Sequence, residues 1–211
     1  KKKHFSSLLK IAALQPIAYF TCETFGIQMT TASESGSIIA CIPIASLVAS
    51  ILFLQKKPTR FQTSGICLTV VGVIVCVTAK GFESSFSGIG YIMLCMAVLS
   101  YSLYCVSAEK ADKTTSIEKT YVMIACGACF FATMAIARSI AAGTVVDLLM
   151  LPFQNTVFLF SIVYLGIVSS VISFVLFNIS ISSIGTNKAS SFVGISTAVS
   201  VLAGVFILDE K

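Results

Sequence analysis

What most constrains this chain is the rhythm of its polar breaks: apolar blocks of about 20 residues follow one another from end to end, divided by short polar clusters. At 1.5 Å per residue, a helix of about 20 residues matches the roughly 30 Å hydrocarbon core of a bilayer. The pattern predicts an all-α membrane protein with about seven visible transmembrane helices, near residues 7–29, 33–54, 62–80, 87–109, 118–141, 154–179 and 186–208. Lys56-Lys57-Pro58-Thr59-Arg60, Gly81 to Gly88, Gly143 to Pro152 and Gly185-Thr186-Asn187 punctuate the blocks, and the segment from Gly143 to Pro152 reads as the one long connection.

Composition excludes the soluble alternatives. Of 211 residues 56% are hydrophobic and 11% charged, whereas a soluble domain carries about 25% charged residues. The net charge of +5 does not form a basic patch interleaved with aromatics, so nucleic acid is not an expected partner. The lipid bilayer is. Lysine and arginine divide eleven to three between alternate sides: Lys1, Lys2, Lys3, Lys10, Lys56, Lys57, Arg60, Lys110, Lys113, Lys119 and Lys188 against Lys80, Arg138 and Lys211. Cytoplasmic loops hold the excess, which puts the start of the first visible helix inside and predicts a multi-pass protein of the cell membrane.

The eight cysteines all fall inside apolar blocks, which is the distribution of packing residues and not of an extracellular disulfide framework. Cys126-Gly127-Ala128-Cys129 has redox or metal spacing but lacks a second pair or a nearby histidine. The single histidine is His4, and Asp112, Asp147 and Asp209 lie in loops or at a helix end. No catalytic residue, metal site or cofactor is expected, which counts against a membrane-embedded enzyme. A seven-helix receptor or retinal protein is the other rival, and the last block has no lysine near its middle for a Schiff base.

Without gaps, 29–57 aligns with 183–211, keeping Ser37/Ser191, Ser46/Ser200, Ala49/Ala203, Leu54/Leu208 and Lys57/Lys211. The two segments cross in opposite directions in the orientation above, as inverted repeats do.

Thr30-Thr31-Ala32-Ser33-Glu34-Ser35-Gly36, Ile42-Pro43-Ile44, Leu52-Phe53-Leu54-Gln55-Lys56-Lys57-Pro58-Thr59, Gly65 and Val70-Val71-Gly72-Val73 together resemble the EamA type of the drug/metabolite transporter superfamily. Asn187-Lys188-Ala189-Ser190-Ser191 and Leu202-Ala203-Gly204-Val205-Phe206-Ile207-Leu208-Asp209-Glu210 look like the matching element of the second half. The sequence departs from the family in having Ser196-Thr197 where a proline is frequent, and Gln55-Lys56 where Gly-Glu is usual. The resemblance implies a ten-helix fold of two inverted five-helix repeats with both ends cytoplasmic. On it, 1–82 would be helices three to five of the first repeat and 86–211 the second repeat without its last helix, with two helices before Lys1 and one after Lys211. It also implies a secondary-active transporter that moves small metabolites or drugs by alternating access; the substrate and the oligomeric state are left open.

Polar groups inside a bilayer are costly, so each is a candidate for the substrate or proton pathway. Gln15, Tyr19 and Glu23, spaced i, i+4, i+8, would share one helix face toward a polar cavity, unless Glu23 only reaches the outer headgroups. Glu34 at a helix start is either a cap or, with Glu23, a carboxyl that exchanges protons with the substrate cycle. Pro43 interrupts a helix, as breaks near transport sites do. Ser46, Ser50, Ser196, Ser200 and Gly204 read as close-packing stripes. Tyr91, Tyr101, Tyr104, Ser169, Ser170, Ser173 and Asn178 would hydrogen-bond either a substrate or neighbouring helices, Lys188 reads as an orienting charge, and Glu109, Lys110, Asp112 and Lys113 as a solvated connector.

Overall fold

The computed structural model describes residues 2–60, 62–65, 68, 71–72 and 87–193, and among these every regular element is helical. The first predicted helix is broken in two: α1 spans Lys2–Ala12 and α2 spans Tyr19–Gln28, with a widened π-type turn over Ala13–Ala18 between them. Pro16 is the cause. It has no N–H to give and disfavours helical backbone in the residue before it; Gln15 accordingly lies extended at φ −138° and ψ 119°. The Leu14 carbonyl at this break accepts from the Tyr19 amide and, at 3.0 Å, from the Ser100 hydroxyl of another helix.

The second predicted helix is also in two pieces. In α3, Ala32–Ile39, Thr31 and Glu34 form a reciprocal capping box, Thr31 N donating to Glu34 Oε2 at 2.8 Å and Glu34 N to Thr31 Oγ1 at 3.3 Å. In α4, Ile42–Leu54, Pro43 occupies the first turn, where a missing N–H costs nothing, so it starts a helix rather than kinking the middle of one. Gln55 ends α4 in the left-handed conformation at φ 53°.

The long helix α5, Gly88–Lys110, is the hub and packs against α1, α2, α3 and α4. Leu94, Ala97 and Cys105 are wholly buried in it. Small residues allow the approach: a Cβ on Gly26 would meet Leu94 Cγ at 2.6 Å, and one on Gly90 would meet Met29 Cβ at 2.9 Å. The paired serines predicted as a packing stripe, Ser46 and Ser50 of α4, are both fully buried, with Ser46 Oγ donating to Ser102 Oγ at 3.3 Å.

Next comes α6, Ser116–Ala142, opened by a capping box between Thr115 and Glu118 and closed by Gly143 at φ 70°. The stretch expected to be a long connection instead forms a helix, α7, Val145–Gln154, with Pro152 in its final turn. Val145, Leu148 and Leu149 supply a helical apolar pattern there that the flanking Gly and Pro mask. The sixth predicted span runs through α8 (Thr156–Val163), a π-type stretch (Tyr164–Ile172) and α9 (Ser173–Ile184). After Gly185, at φ 83°, a further helix α10 covers 186–193.

Four helical stretches among the described residues are long and apolar enough to cross a membrane: Glu34–Leu54, Gly88–Lys110, Ser116–Ala142 and Thr156–Ile184. The predicted spans 62–80 and 186–208, the second half of the repeat comparison and Ser196, Ser200 and Gly204 fall wholly or largely outside the described residues. Phe153, Val157 and Phe160 are 86%, 76% and 70% exposed, an outer surface that hydrocarbon solvates and water does not. The molecule is an all-α, multi-pass membrane protein.

Candidate functional site

The break in the first helix turns Gln15 inward. With Tyr101 and Tyr104 of α5, Ser173, Phe174 and Phe177 of α9, and Phe192 and Val193 of α10, it lines a cavity of about 340 Å³, within the range of roughly 300–1,000 Å³ in which small molecules are held. Aromatic rings make the walls. Tyr101 meets Tyr104 edge-on at 5.8 Å and Phe177 at 5.8 Å, while Tyr104 stacks with Phe177 at 6.4 Å. Gln15 is 3% exposed, and its Oε1 has no hydrogen-bond partner among the described residues.

Other polar side chains in and behind the walls are tied by hydrogen bonds to neighbouring groups. Asn178, wholly buried, accepts from the Tyr104 hydroxyl at 3.0 Å and donates through Nδ2 to Thr120 Oγ1 at 3.0 Å and Met123 Sδ at 3.5 Å. This fixes Tyr104 and ties α5, α6 and α9 together. Ser173 Oγ donates to the Val168 carbonyl at 3.1 Å, filling the gap a π-type turn leaves in the backbone ladder.

The nine predicted pathway residues therefore separate into groups. Gln15, Tyr101, Tyr104 and Ser173 share the cavity, with Asn178 directly behind Tyr104. Tyr19 stands beside them, edge-on to Tyr101 at 5.3 Å, and its hydroxyl donates to Glu23 Oε1 at 2.7 Å, one turn away on the same face. Gln15 does not extend that face as an unbroken helix would have it, because the Pro16 break lies between them. Glu34 and Pro43 do not line the cavity: Glu34 completes its capping box and also accepts from the Tyr91 hydroxyl at 2.5 Å, and Pro43 is buried at the start of α4.

Two features escaped the sequence reading. Pro16 rests on α6 where a Cβ on Gly127 would come within 2.5 Å of its ring, so in Cys126-Gly127-Ala128-Cys129 the glycine is the structural residue. Both cysteines are free thiols, and Cys129 is exposed. The second is Glu109, which is no solvated connector residue. It pairs with Lys56 just beyond α4 and accepts from the Thr186 amide at the head of α10 at 2.7 Å, joining three helix ends. Beside it Lys119, 2% exposed, donates to the Ala108 carbonyl at 2.7 Å. This junction borders a second, open hollow of about 470 Å³.

A bundle of apolar helices around an aromatic cavity is shared by many membrane proteins; sequence comparison decides between them. The profile of the EamA-like transporter family matches residues 1–78 and 88–211. The chain belongs to the EamA-like transporter family. It is 35% identical over 211 residues to YcxC, an uncharacterised transporter of Bacillus subtilis, spanning 99% of this chain and 67% of that protein. It is 24% identical over 186 residues, 86% of this chain and 68% of the relative, to an uncharacterised transporter of Acidianus ambivalens. A shorter match, 28% over 101 residues, covers 46% of this chain and 33% of the protein PagO of Salmonella typhimurium. Membership of the EamA-like family points to a membrane transporter and away from an enzyme. The cavity draws Gln15 from the first family-matched segment and its other lining residues from the second.

Proposed function

We propose that the protein is a secondary-active transporter of ten helices in two inverted five-helix repeats, represented here by 1–82 and 86–211, and that it moves small metabolites or drugs by alternating access. The observation that carries this reading is the cavity at the meeting of the two matched segments; in repeat-built transporters the substrate site lies between the repeats, beside interrupted helices. The Pro16 break supplies such an interruption next to Gln15. The protein sits in the cell membrane with Lys10, Lys56 and Lys113 on the cytoplasmic side, on the strength of the charge asymmetry.

Protons are the candidate coupling ion. Glu23, hydrogen-bonded to Tyr19 beside the cavity, is placed to couple protonation to cavity shape; Glu34, held by its cap and by Tyr91, is the second carboxyl. Glu23→Gln is expected to flatten the pH dependence of uptake in vesicles with an imposed proton gradient, and an unaltered pH profile in both Glu23→Gln and Glu34→Gln rules out coupling through either.

The reading as a whole is tested by expressing the full-length protein in a bacterial host and profiling metabolites inside and outside the cells. Some small molecule is expected to redistribute several-fold with the wild type and not with Tyr101→Ala present at equal level in the membrane. Identical profiles for the wild type, the variant and cells lacking the protein refute transport.

A further inference from the structure

We infer that the aromatic cavity holds an uncharged, ring-sized ligand bearing an amide-type edge, its ring against Tyr101, Phe174 and Phe177 and its edge bonded to the Gln15 carboxamide. The inference rests on the transporter reading above for the ligand's being a substrate, but not for its chemistry.

Three observations define that chemistry. The first is Gln15, a polar side chain 3% exposed whose carbonyl oxygen lacks a partner among the described residues. A buried polar atom left unpaired is costly, and a ligand group that pairs it recovers that cost on binding. A primary amide can turn over to present either its acceptor or its donor, and an amide edge on the ligand offers both in return, side by side, the complement that glutamine makes with a heteroaromatic base.

The second is the walls. Tyr101, Tyr104, Phe174, Phe177 and Phe192 line the cavity, and aromatic rings favour a flat ligand through offset or edge-on contact at centroid distances of about 4.5–7 Å. The Tyr101 hydroxyl makes no hydrogen bond among the described residues, unlike that of Tyr104, and is a further donor or acceptor for the ligand.

The third is charge. No described residue lining the cavity carries one: the polar members are Gln15, Tyr101, Tyr104 and Ser173. An amino-acid zwitterion would bring a carboxylate and an ammonium against walls that, among the described residues, hold no counter-charge, at a desolvation cost. A neutral lactam, imide or aromatic amide meets no such cost. The volume of about 340 Å³ accommodates a one- or two-ring molecule.

The experiment is ligand binding to purified full-length protein in detergent, read as displacement of radiolabelled uracil, with nicotinamide and hypoxanthine as further neutral amide rings and phenylalanine as the zwitterionic ring. Uracil binding is expected to be saturable, displaced by the other amide rings and not by phenylalanine, and weakened about tenfold in Gln15→Leu, the loss of one buried hydrogen bond. Tyr101→Phe, which keeps every wall, is expected to weaken it several-fold; it serves as the second variant should Gln15→Leu elute as aggregate. Displacement by phenylalanine at equal concentration, undiminished affinity in both variants, or the absence of binding by all three amide rings overturns the inference. Counterflow of the same label in vesicles separates the two readings: a ring that binds but is never carried contradicts transport and leaves the ligand class standing. A carried phenylalanine with no bound amide ring does the reverse.

Discussion

Asn178 shows what a single polar side chain does in a bilayer. Its three bonds, to Tyr104, Thr120 and Met123, leave no buried group of the cluster unpaired, so it fixes one wall of the cavity and joins three helices at once. Asn178→Ala strands the Tyr104 hydroxyl and the Thr120 hydroxyl together. A loss of about 1–3 kcal/mol follows, to be measured as a lower midpoint in detergent-titrated unfolding. Tyr104→Phe in the same background should restore part of it, since it removes one of the stranded groups, and a strictly additive double variant would show the bond to be idle. Asn178 was recognisable from sequence because amides are rare in apolar blocks. Its partners were not, because Thr120 is 58 residues away and only the packing of α6 on α9 brings it within reach.

At the level of elements, the blocks were legible and their interruptions were not. Counting apolar residues locates 87–109 and 118–141 to within two residues of α5 and α6, since nothing in those blocks breaks the helix. The same count passes over Pro16, whose ring is as apolar as its neighbours; what it alters is the backbone, and that shows only when the missing N–H and the extended residue before it are considered. Gly127 is the counterpart of this break. Gly127→Ala sets a Cβ 2.5 Å from the Pro16 ring, and overpacking of this kind typically costs about 1–3 kcal/mol. Thermal denaturation in detergent should register it, and Pro16→Ala in the Gly127→Ala chain should recover most of the loss; equal melting of Gly127→Ala and wild type would mean that the helices separate freely. The junction at Glu109 eluded reading for another reason. Its three members, Lys56, Glu109 and Thr186, stand at helix ends far apart in sequence, so each charge alone looked solvated. Glu109→Gln keeps one acceptor for Thr186 and removes the ion pair with Lys56, whose side chain is 46% exposed, so a modest loss of about 1 kcal/mol is expected, shrinking as salt is added.

For the whole molecule, the positive-inside count makes a prediction independent of any substrate. A reporter active only in the cytoplasm, fused after Lys57 or Lys113, should be active, and one fused after Gly143 should be silent; the opposite pattern would invert the assignment of both faces. Bilayer thickness, by contrast, explains why α7 was missed as an element. It lies between two spans, and an apolar ten-residue helix is too short to cross, so a search tuned to bilayer thickness assigns it to a loop.

The clamp on the first helix has a mechanical consequence. Its elbow is gripped on two sides, with the Leu14 carbonyl held by Ser100 of α5 and the Pro16 ring seated against Gly127 of α6, so it is a fixed bend and not a swivel. The angle between α1 and α2 is thereby set by packing from both sides. Gln15, next to the bend, is held at one place in the cavity wall, a peg set in a fixed post.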